Sequence, residues 1–586
     1  MENLAVFARV YGYVRFFHPS DQAAAVDWDK IGVLGAEIVR DATDPEALRR
    51  SLLRLFQPIA PEMRLNSTSG VGGDVGASSR PLPEGVPLTY WQYVGIRLSD
   101  QPGPYRQRRV ITGVVDGARA ALFPQSVAPP PVGKEVAPGV SLRLPLALPL
   151  SSDGGTAGAT SREFAELQAR LAAIDVGALT PSDWRVRVAG VVAAWNIFQH
   201  FHPYLDAAGV RWEETLRPAL RRALIATTAA EYRRTLMEMI APSLDGHGFV
   251  FAEETNDGGL PIKVAYVEGR IVVVGVRDDA PLQVGDIVLT VDGCEAIDVL
   301  QERERGTPGS PQLRRFRALH QFGEGTAETI ARLEIERDGG RLVVELPRRA
   351  NRCGYFFKAV GDFSFPGIAE VRPGIFYVNL FALTSGEYEA RLPQLAGARG
   401  VIFDWRSDGR YRGERHSRDL QPSADIIPHL IDGAIQSSLM RIPQISAPDR
   451  EGWTWTETSW PVQPKSPKFT GRIVFITDPG VVSYGETCLA MIANFRLATL
   501  VGAQSGGCNG NANFILLPGG LRVMWTGMDV RKHDRSPLYA VGYAPDLPVS
   551  RTLRAVREGR DEYLERAIEV LEQPEAKSQL TPGCDR

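Results

Sequence analysis

Residues 471–494 read GRIVFITDPGVVSYGETCLAMIAN, and this stretch sets the core of the protein. The run RIVFIT is rich in β-branched and aromatic residues, which is typical of a buried strand. Asp478-Pro479-Gly480 marks a turn, and the apolar spacing after Ser483 predicts a helix. Similar apolar runs at 374–381 and 400–406 are separated by helical patterns. Residues 351–575 are therefore predicted to form a mixed α/β core.

Ser483 stands where the predicted turn becomes the helix. Ser483-x-x-Glu486 fits a capping box, in which the serine only closes the N-terminus of a helix. A hydroxyl in this position also lies near backbone N–H groups and the positive end of the helix dipole, which suits a nucleophile beside an oxyanion hole. The motif alone leaves both interpretations open.

An internal duplication organises the first half of the chain. Residues 7–58 align without gaps with 191–242 at an offset of 184, with FFHP at 16–19 over HFHP at 200–203. The apolar spacing predicts helices in each copy, and the histidine–proline pair ends the first helix. We predict one helical module at 1–66 and a second at 180–255.

The duplication separates the histidines into two groups. His18 and His202 occupy equivalent positions, which indicates a structural role at a helix end. His247 differs, because Met63 occupies the equivalent position in the first copy. It lies in LDGHG at 244–248, a glycine-flanked turn of the kind that presents reactive side chains. A histidine of a surface loop is the plainer alternative.

Three further regions complete the chain. Residues 67–150 are rich in Gly, Pro and Val with short strand-like runs, and predict a small β domain; 151–179 predict a linker and a helix. The run GRIVVVGVRDDAPLQVGDIVLTVDG at 269–293 resembles a PDZ domain, so 256–350 are predicted to be PDZ-like. Such domains bind a peptide C-terminus as an added strand. A β domain that serves only for packing is the alternative.

Composition excludes several classes of function. With 586 residues the chain predicts roughly three to five domains. A net charge of −3 predicts no nucleic-acid partner, and the lack of a long apolar run predicts no integral membrane segment. Five scattered cysteines without a CxxC pair favour neither a metal cluster nor a disulfide scaffold. We expect no metal and no cofactor, and a homo-oligomer is compatible with the sequence.

The order of these features resembles a family of serine peptidases. The second helical module ending in LDGHG, the PDZ-like region, FDWRSDG and GVVSYGE are similar, over about 180–570, to the C-terminal-processing (tail-specific) proteases and the tricorn core. The resemblance implies a multidomain α+β fold with a crotonase-like core. It also implies a peptidase that forms an acyl-enzyme on Ser483 and takes a peptide or protein as substrate. Exported bacterial relatives imply a periplasmic or secreted location. Since the chain begins inside its first predicted helix, we expect an upstream export signal to have been removed.

The resemblance also suggests which residues assist the serine. One branch of the family uses a lysine in a Thr-x-Gly-Lys-Gly motif, but Cys508 stands at that position. The tricorn-like branch uses a histidine from the helical module, and His247 lies at that place. The oxyanion donors are predicted to be the N–H groups of Tyr484 and Gly409, although the second glycine of the family motif is Arg410 here.

The orienting carboxylate of the tricorn-like branch is replaced in this sequence. Tyr539 stands where relatives carry a glutamate; Asp534 or Glu486 could substitute, or no carboxylate is needed. These departures leave open an esterase or amidase acting on a non-peptide substrate with the same chemistry. A non-catalytic binding protein is a third alternative, which the intact Ser483 and His247 disfavour.

Overall fold

The computed structural model describes most of the chain. The described residues are 1–67, 86–99, 102–125, 127–152, 154–156, 161–175, 177, 179–252, 257–277, 280–350, 367–406 and 420–573. Within them the fold is mixed α+β, with fifteen α-helices and seven sheets, as the sequence predicts at this level. Among these helices, none combines the length and the apolar character that a membrane crossing requires.

The helices carry most of the N-terminal half. They are α1 (Glu2–Phe17), α2 (Asp21–Ala25), α3 (Trp28–Arg40), α4 (Pro45–Phe56), α5 (Arg162–Ala172), α6 (Trp184–Phe201), α7 (Glu213–Ile225), α8 (Ala229–Ile240), α9 (Ala296–Arg305), α10 (Pro311–His320), α11 (Ser385–Ala396), α12 (Pro422–Asp425), α13 (Tyr484–Asn494), α14 (Leu553–Glu558) and α15 (Glu562–Glu572).

The helices of the two modules repeat at the predicted offset. Helices α1 and α6 end 184 residues apart, and α4 and α8 are 184 residues apart at both ends. Both first helices end at a histidine with nearly identical dihedrals: φ −78° and ψ 121° at His18, φ −80° and ψ 121° at His202. Buried His18 pairs its Nδ1 with Ser20 Oγ at 3.0 Å. The predicted structural role at a helix end is confirmed for His18.

The modules pack through the equivalent faces of α1 and α6. Gly12 and Asn196 occupy equivalent positions, and a Cβ added to Gly12 would lie 1.8 Å from Asn196 Oδ1. Asn196 Nδ2 donates to the carbonyls of Ala8 and Val192, each at 2.8 Å. The helices thus approach closely at a glycine that a larger residue could not replace.

Gly12→Ala is expected to destabilise the protein, although alanine in a helix is normally worth about 1 kcal/mol more than glycine. The added methyl group overlaps the Asn196 amide, and overpacking of a tight contact costs about 1–3 kcal/mol. Thermal unfolding monitored by fluorescence should show a lower midpoint. The double variant Gly12→Ala/Asn196→Ala should recover most of the loss; a raised midpoint in Gly12→Ala alone would contradict this packing.

The strands follow in chain order. They are β1 (Arg64–Ser67), β2 (Leu88–Val94), β3 (Arg106–Ile111), β4 (Val132–Ala137), β5 (Val140–Leu144), β6 (Ala147–Pro149), β7 (Phe249–Phe251), β8 (Asp257–Gly259), β9 (Ile262–Val267), β10 (Arg270–Val276), β11 (Ile287–Val291), β12 (Cys294–Glu295), β13 (Gly325–Thr326), β14 (Ile330–Arg337), β15 (Gly340–Pro347), β16 (Arg349–Ala350), β17 (Ile368–Arg372), β18 (Ile375–Asn379), β19 (Gly400–Asp404), β20 (Ile435–Gln436), β21 (Leu439–Ile445), β22 (Thr454–Thr458), β23 (Pro461–Val462), β24 (Arg472–Thr477), β25 (Thr499–Gly502), β26 (Ala512–Leu516), β27 (Arg522–Thr526), β28 (Asp529–Arg531) and β29 (Leu547–Pro548).

A six-stranded sheet forms the core at 367–573. Its order is β17-β18-β19-β24-β25-β29, and all neighbours are parallel except β17 and β18. Strands β18 and β19 are buried on both faces, as their apolar runs predict. The carboxyl ends of β19, β24 and β25 meet at one edge, which is where open α/β sheets bind ligands.

The predicted PDZ-like region contains an antiparallel sheet. Its order is β15-β14-β11-β10-β9, with β12 paired to β11 and with β9 and β15 at the edges. Helices α9 and α10 lie between its strands in the sequence. The sheet matches the predicted strands; its PDZ-like identity stays a prediction.

Strands of the predicted small β domain divide between two sheets. Strands β1, β5 and β4 form one sheet, while β2, β3 and β6 join β21, β22 and β28 of the core region in another. The pair Tyr93↔Ile445 makes this connection. The region from 86 to 149 is thus hydrogen-bonded directly to the core.

A three-stranded sheet carries the end of the second helical module to the core. Strand β7 pairs with β27, with Phe249 opposite Met524 and Val250 opposite Val523. Continuing this antiparallel register by two residues places His247 opposite Thr526. The sheet therefore fixes the 244–248 turn against the end of β27.

Candidate active site

Ser483 occupies a sharp turn between β24 and α13. Its backbone has φ 56° and ψ −120°, a conformation that is costly for a residue with a Cβ. Its N–H donates to the carbonyl of Cys508 at 2.5 Å, and its carbonyl accepts from the N–H of Thr487 at 3.1 Å. Such a strained strand-to-helix turn presents a serine hydroxyl at the end of a sheet.

The capping-box interpretation of Ser483 and Glu486 is wrong. With φ positive, the Ser483 side chain makes no capping hydrogen bond to the helix. Buried Glu486 instead accepts from Ser505 Oγ at 2.5 Å, Gly507 N–H at 2.8 Å and Cys508 N–H at 2.7 Å. Burial raises its pKa to about 7, although these three donors favour the carboxylate. Glu486 thus holds the Ser505–Cys508 segment, named here the 505–508 loop.

His247 is buried at the end of the second helical module, so the surface-loop alternative is wrong. Its turn contains Leu244 at φ 57° and a hydrogen bond from Gly248 N–H to the carbonyl of Asp245 at 2.8 Å. Nδ1 of His247 lies 2.9 Å from Thr526 Oγ1. The ring therefore faces the core at the position that the β7–β27 register gives it.

Asp245 is a fully buried carboxylate that anchors this arrangement. Its Oδ1 accepts from Thr526 Oγ1 at 2.6 Å and from the N–H of His247 at 2.9 Å. Its Oδ2 accepts from the N–H of Thr526 at 2.6 Å and pairs with Nε2 of His202 at 3.1 Å. Burial alone would raise the pKa of Asp245, but the hydrogen bond from His202 and the nearby histidines outweigh it and hold the pKa well below its usual value. The carboxylate stays ionised.

The network fixes the tautomer of His247. The Thr526 hydroxyl has one hydrogen, which it donates to the Asp245 carboxylate, because a carboxylate can only accept. Thr526 Oγ1 must then accept the hydrogen on Nδ1 of His247, which leaves the lone pair on Nε2. Burial lowers the pKa of His247 to about 4, against the raising effect of Asp245. At neutral pH the ring is a neutral base.

His202 has a wider role than its position in the repeat indicates. It caps α6 as predicted, and its Nδ1 accepts from Tyr204 N–H at 3.3 Å. Its Nε2 therefore carries the hydrogen and donates to Asp245. The equivalent His18 contacts Ser20 instead. The duplicated position has been adapted to support the turn that carries His247.

Cys508 lies between the histidine and the serine. Its carbonyl holds the N–H of Ser483, and its Sγ lies within 4.8 Å of the ligand atoms of both Asp245 and His247. A Cβ added to Gly246 would lie 2.2 Å from Cys508 Cβ, which accounts for the glycine beside His247. One buried residue thus contacts both predicted catalytic segments.

Asp245, His247 and Cys508 are also residue types that bind metal ions, and their ligand atoms are mutually close. Each oxygen of Asp245, however, already accepts two hydrogen bonds. A metal ion would have to displace at least one of them. The donor set therefore fits an orienting carboxylate better than a metal ligand.

Comparison with known proteins rests on solved structures. No protein-family model and no curated protein matches the sequence. Mature CPAF aligns with 66% of this chain and 96% of its own, at a TM-score of 0.54 and 14% identity. The photosystem II D1 C-terminal processing protease covers 61% of this chain and 92% of its own, at a TM-score of 0.35 and 15% identity. The tricorn protease covers 66% of this chain and 36% of its own, at a TM-score of 0.35 and 14% identity.

This chain shares the fold of mature CPAF. The other two structures are too distant to add to the fold assignment. They do carry the names of the two groups, C-terminal-processing proteases and tricorn, that the order of sequence motifs resembles.

Two of the predicted accessory residues lie in different surroundings. Asp534 is exposed, and its carboxylate accepts from Ser536 N–H within its own turn. Tyr539 is buried, stacks on Tyr204 with ring centroids 3.8 Å apart, and donates its hydroxyl hydrogen to the carbonyl of Ser243. Tyr539 thus supports the residue that precedes the 244–248 turn.

The predicted oxyanion donors differ in what the structure describes. Tyr484 is the first residue of α13, and its hydroxyl contacts Ser423 N–H at 3.0 Å and Ser423 Oγ at 2.7 Å. Gly409 and Arg410 lie outside the described residues. The segment that leads to them is anchored by buried Arg406, whose guanidinium binds Asp404 at 2.6 Å and Asp561 at 2.7 Å.

Proposed function

We propose that this protein is a serine peptidase that cleaves peptide bonds through an acyl-enzyme, with Ser483 as nucleophile and His247 as general base. The proposal rests chiefly on the hydrogen-bond chain from Asp245 through Thr526 to Nδ1 of His247. That chain orients the ring and makes Nε2 its proton acceptor. The contacts of Cys508 with both segments support a shared site.

In the first step Ser483 Oγ attacks the carbonyl carbon of the scissile bond while its proton passes to Nε2 of His247. The tetrahedral intermediate collapses, the C–N bond breaks, and the same proton goes to the leaving amine. A water molecule then attacks the ester and gives its proton to Nε2. The second collapse returns that proton to Ser483 Oγ and releases the new C-terminus.

Asp245 and Thr526 lower the cost of the imidazolium that forms in each step. The hydrogen on Nδ1 stays with Thr526, and the negative charge of Asp245 stabilises the positive ring. Because the pKa of Asp245 is held low, the carboxylate takes no proton from the ring. In this proposal Asp245 replaces the glutamate that Tyr539 displaces.

The oxyanion is proposed to bind the N–H groups of Tyr484 and Gly409. Tyr484 begins α13, where backbone N–H groups and the helix dipole favour negative charge. The substrate is proposed to be a peptide or protein, and the PDZ-like region to assist its binding by strand addition at an edge of its antiparallel sheet. The periplasmic or secreted location stays a prediction.

The acid limb of the pH profile is expected at an unusually low pH. Catalysis needs neutral His247, which predominates above its pKa of about 4, so kcat/KM should fall only as the pH drops through that value. An ordinary histidine would give a midpoint near ~6.5. Intrinsic fluorescence recorded at each pH should separate this limb from acid unfolding. A midpoint at or above 6.5 in folded protein would contradict a buried, neutral base.

The proposed function is tested by a fluorophosphonate probe and by substrate comparison. The probe should modify Ser483, as mapped by mass spectrometry of digested protein, and a library of peptides should be cleaved. Turnover of p-nitrophenyl esters with no cleavage of any peptide would favour the esterase alternative. Modification at another residue, or no modification at all, would overturn the assignment of Ser483.

A further inference from the structure

The 505–508 loop holds the backbone of Ser483 in place. The carbonyl of Cys508 accepts the N–H of Ser483, whose positive φ needs such support. On one side the loop is fixed by Glu486, which binds two of its N–H groups and the Ser505 hydroxyl. The loop carbonyls of Ser505 and Gly506 bind elsewhere.

Those carbonyls bind helix α10, which belongs to the PDZ-like region. Ser310 caps α10: its Oγ accepts from Leu313 N–H at 3.2 Å and donates to the carbonyl of Gly506 at 2.6 Å. Gln312 Nε2 donates to the carbonyls of Ser505 and Val541, each at 2.9 Å. The start of one helix thus satisfies two consecutive carbonyls of the loop.

Leu313 extends the same contact to the histidine segment. Its side chain is buried, and a Cβ added to Gly246 would lie 2.8 Å from Leu313 Cδ2. The first turn of α10 therefore contacts the 505–508 loop and the turn that carries His247. Both predicted catalytic segments depend on this one helix for part of their packing.

We infer that Ser310 and Gln312 are positioning residues for the chemical step. They fix the 505–508 loop, and through Cys508 the loop fixes Ser483. The PDZ-like region then acts on the rate of acylation, in addition to any part in binding substrate. This inference rests on the proposed function, because it requires Ser483 to be the nucleophile.

The test is Gln312→Met, which keeps the length of the side chain and a good helix former but removes both donated hydrogen bonds. We expect the rate constant for fluorophosphonate modification of Ser483 to fall about tenfold, since small misplacements of reacting groups are costly. For a p-nitrophenyl ester, kcat should fall by the same factor with KM unchanged. Ser310→Gly, which retains an acceptable N-cap residue, should act in the same direction.

Arg315→Gln is the matched control. Arg315 is exposed on the same helix and pairs with Glu304 at 2.7 Å inside the same region, so its replacement should leave both rates unchanged. The inference is overturned if Gln312→Met and Ser310→Gly are modified at the rate of the parent protein, or if only KM for peptides rises. Failure of the parent protein itself to be modified would instead sink the proposed function.

Discussion

His247→Ala is expected to slow peptide hydrolysis by roughly 10⁴- to 10⁶-fold in kcat, the range seen when a serine hydrolase loses its base. A serine hydroxyl barely ionises at neutral pH, so the attack requires a group that takes its proton. In this structure the neutral Nε2 of His247 is that group, because Nδ1 is committed to Thr526. Modification of Ser483 by a fluorophosphonate, followed by intact mass, should fall in parallel, with Ser483→Ala giving the baseline.

His18→Ala separates the chemical effect from a loss of folding. His18 is a buried histidine that caps the equivalent helix of the first module, so its removal also leaves a cavity and loses a hydrogen bond. It should lower the midpoint of thermal unfolding but leave the modification rate of the folded protein near that of the parent. Equal loss of reactivity in the two variants would show that any buried histidine matters only for folding, and would remove His247 from the mechanism.

Features with a local or repeated pattern were predictable from the sequence. The constant offset of 184 predicted two sets of helices with matching ends, because a duplicated sequence repeats its apolar spacing and its His-Pro stop. The strand, turn and helix around Ser483 were predictable because a β-branched run, a Pro-Gly turn and helical spacing follow one another. The parallel core sheet followed from the buried apolar runs of β18, β19 and β24.

Features that depend on distant pairing were not predictable. Asp245 is visible in the LDGHG turn, but its partner Thr526 lies 281 positions later, at the end of a strand whose pairing with β7 has no local signal. The search for an acid near Tyr539 therefore passed over Asp245. The capping box failed for a different reason. The spacing of Ser483 and Glu486 was correct, but the tertiary contact with Cys508 holds the serine at positive φ.

Thr526→Val is expected to lower kcat by about 10²-fold with little change in KM. Valine has nearly the shape of threonine, so the packing is retained, but the hydroxyl that links His247 to Asp245 is lost. The ring can then rotate or exchange tautomers, and the imidazolium loses its connection to the carboxylate. The effect should be smaller than the ~10⁴-fold loss produced by a wrong tautomer in a Ser-His-Asp triad, because the Asp245 charge remains nearby.

Thr526→Ser is the matched variant, because it keeps the hydroxyl and removes only a methyl group. It should stay within about threefold of the parent protein, while Thr526→Val falls well below it. Both variants keep the N–H of residue 526 that binds Asp245 Oδ2, so any loss of stability from a changed backbone should be shared. Equal kcat values for the two variants would show that the hydroxyl carries no orienting role. A large difference, with thermal midpoints that agree, would support the Asp245–Thr526–His247 chain as the device that makes Nε2 of His247 the base for Ser483.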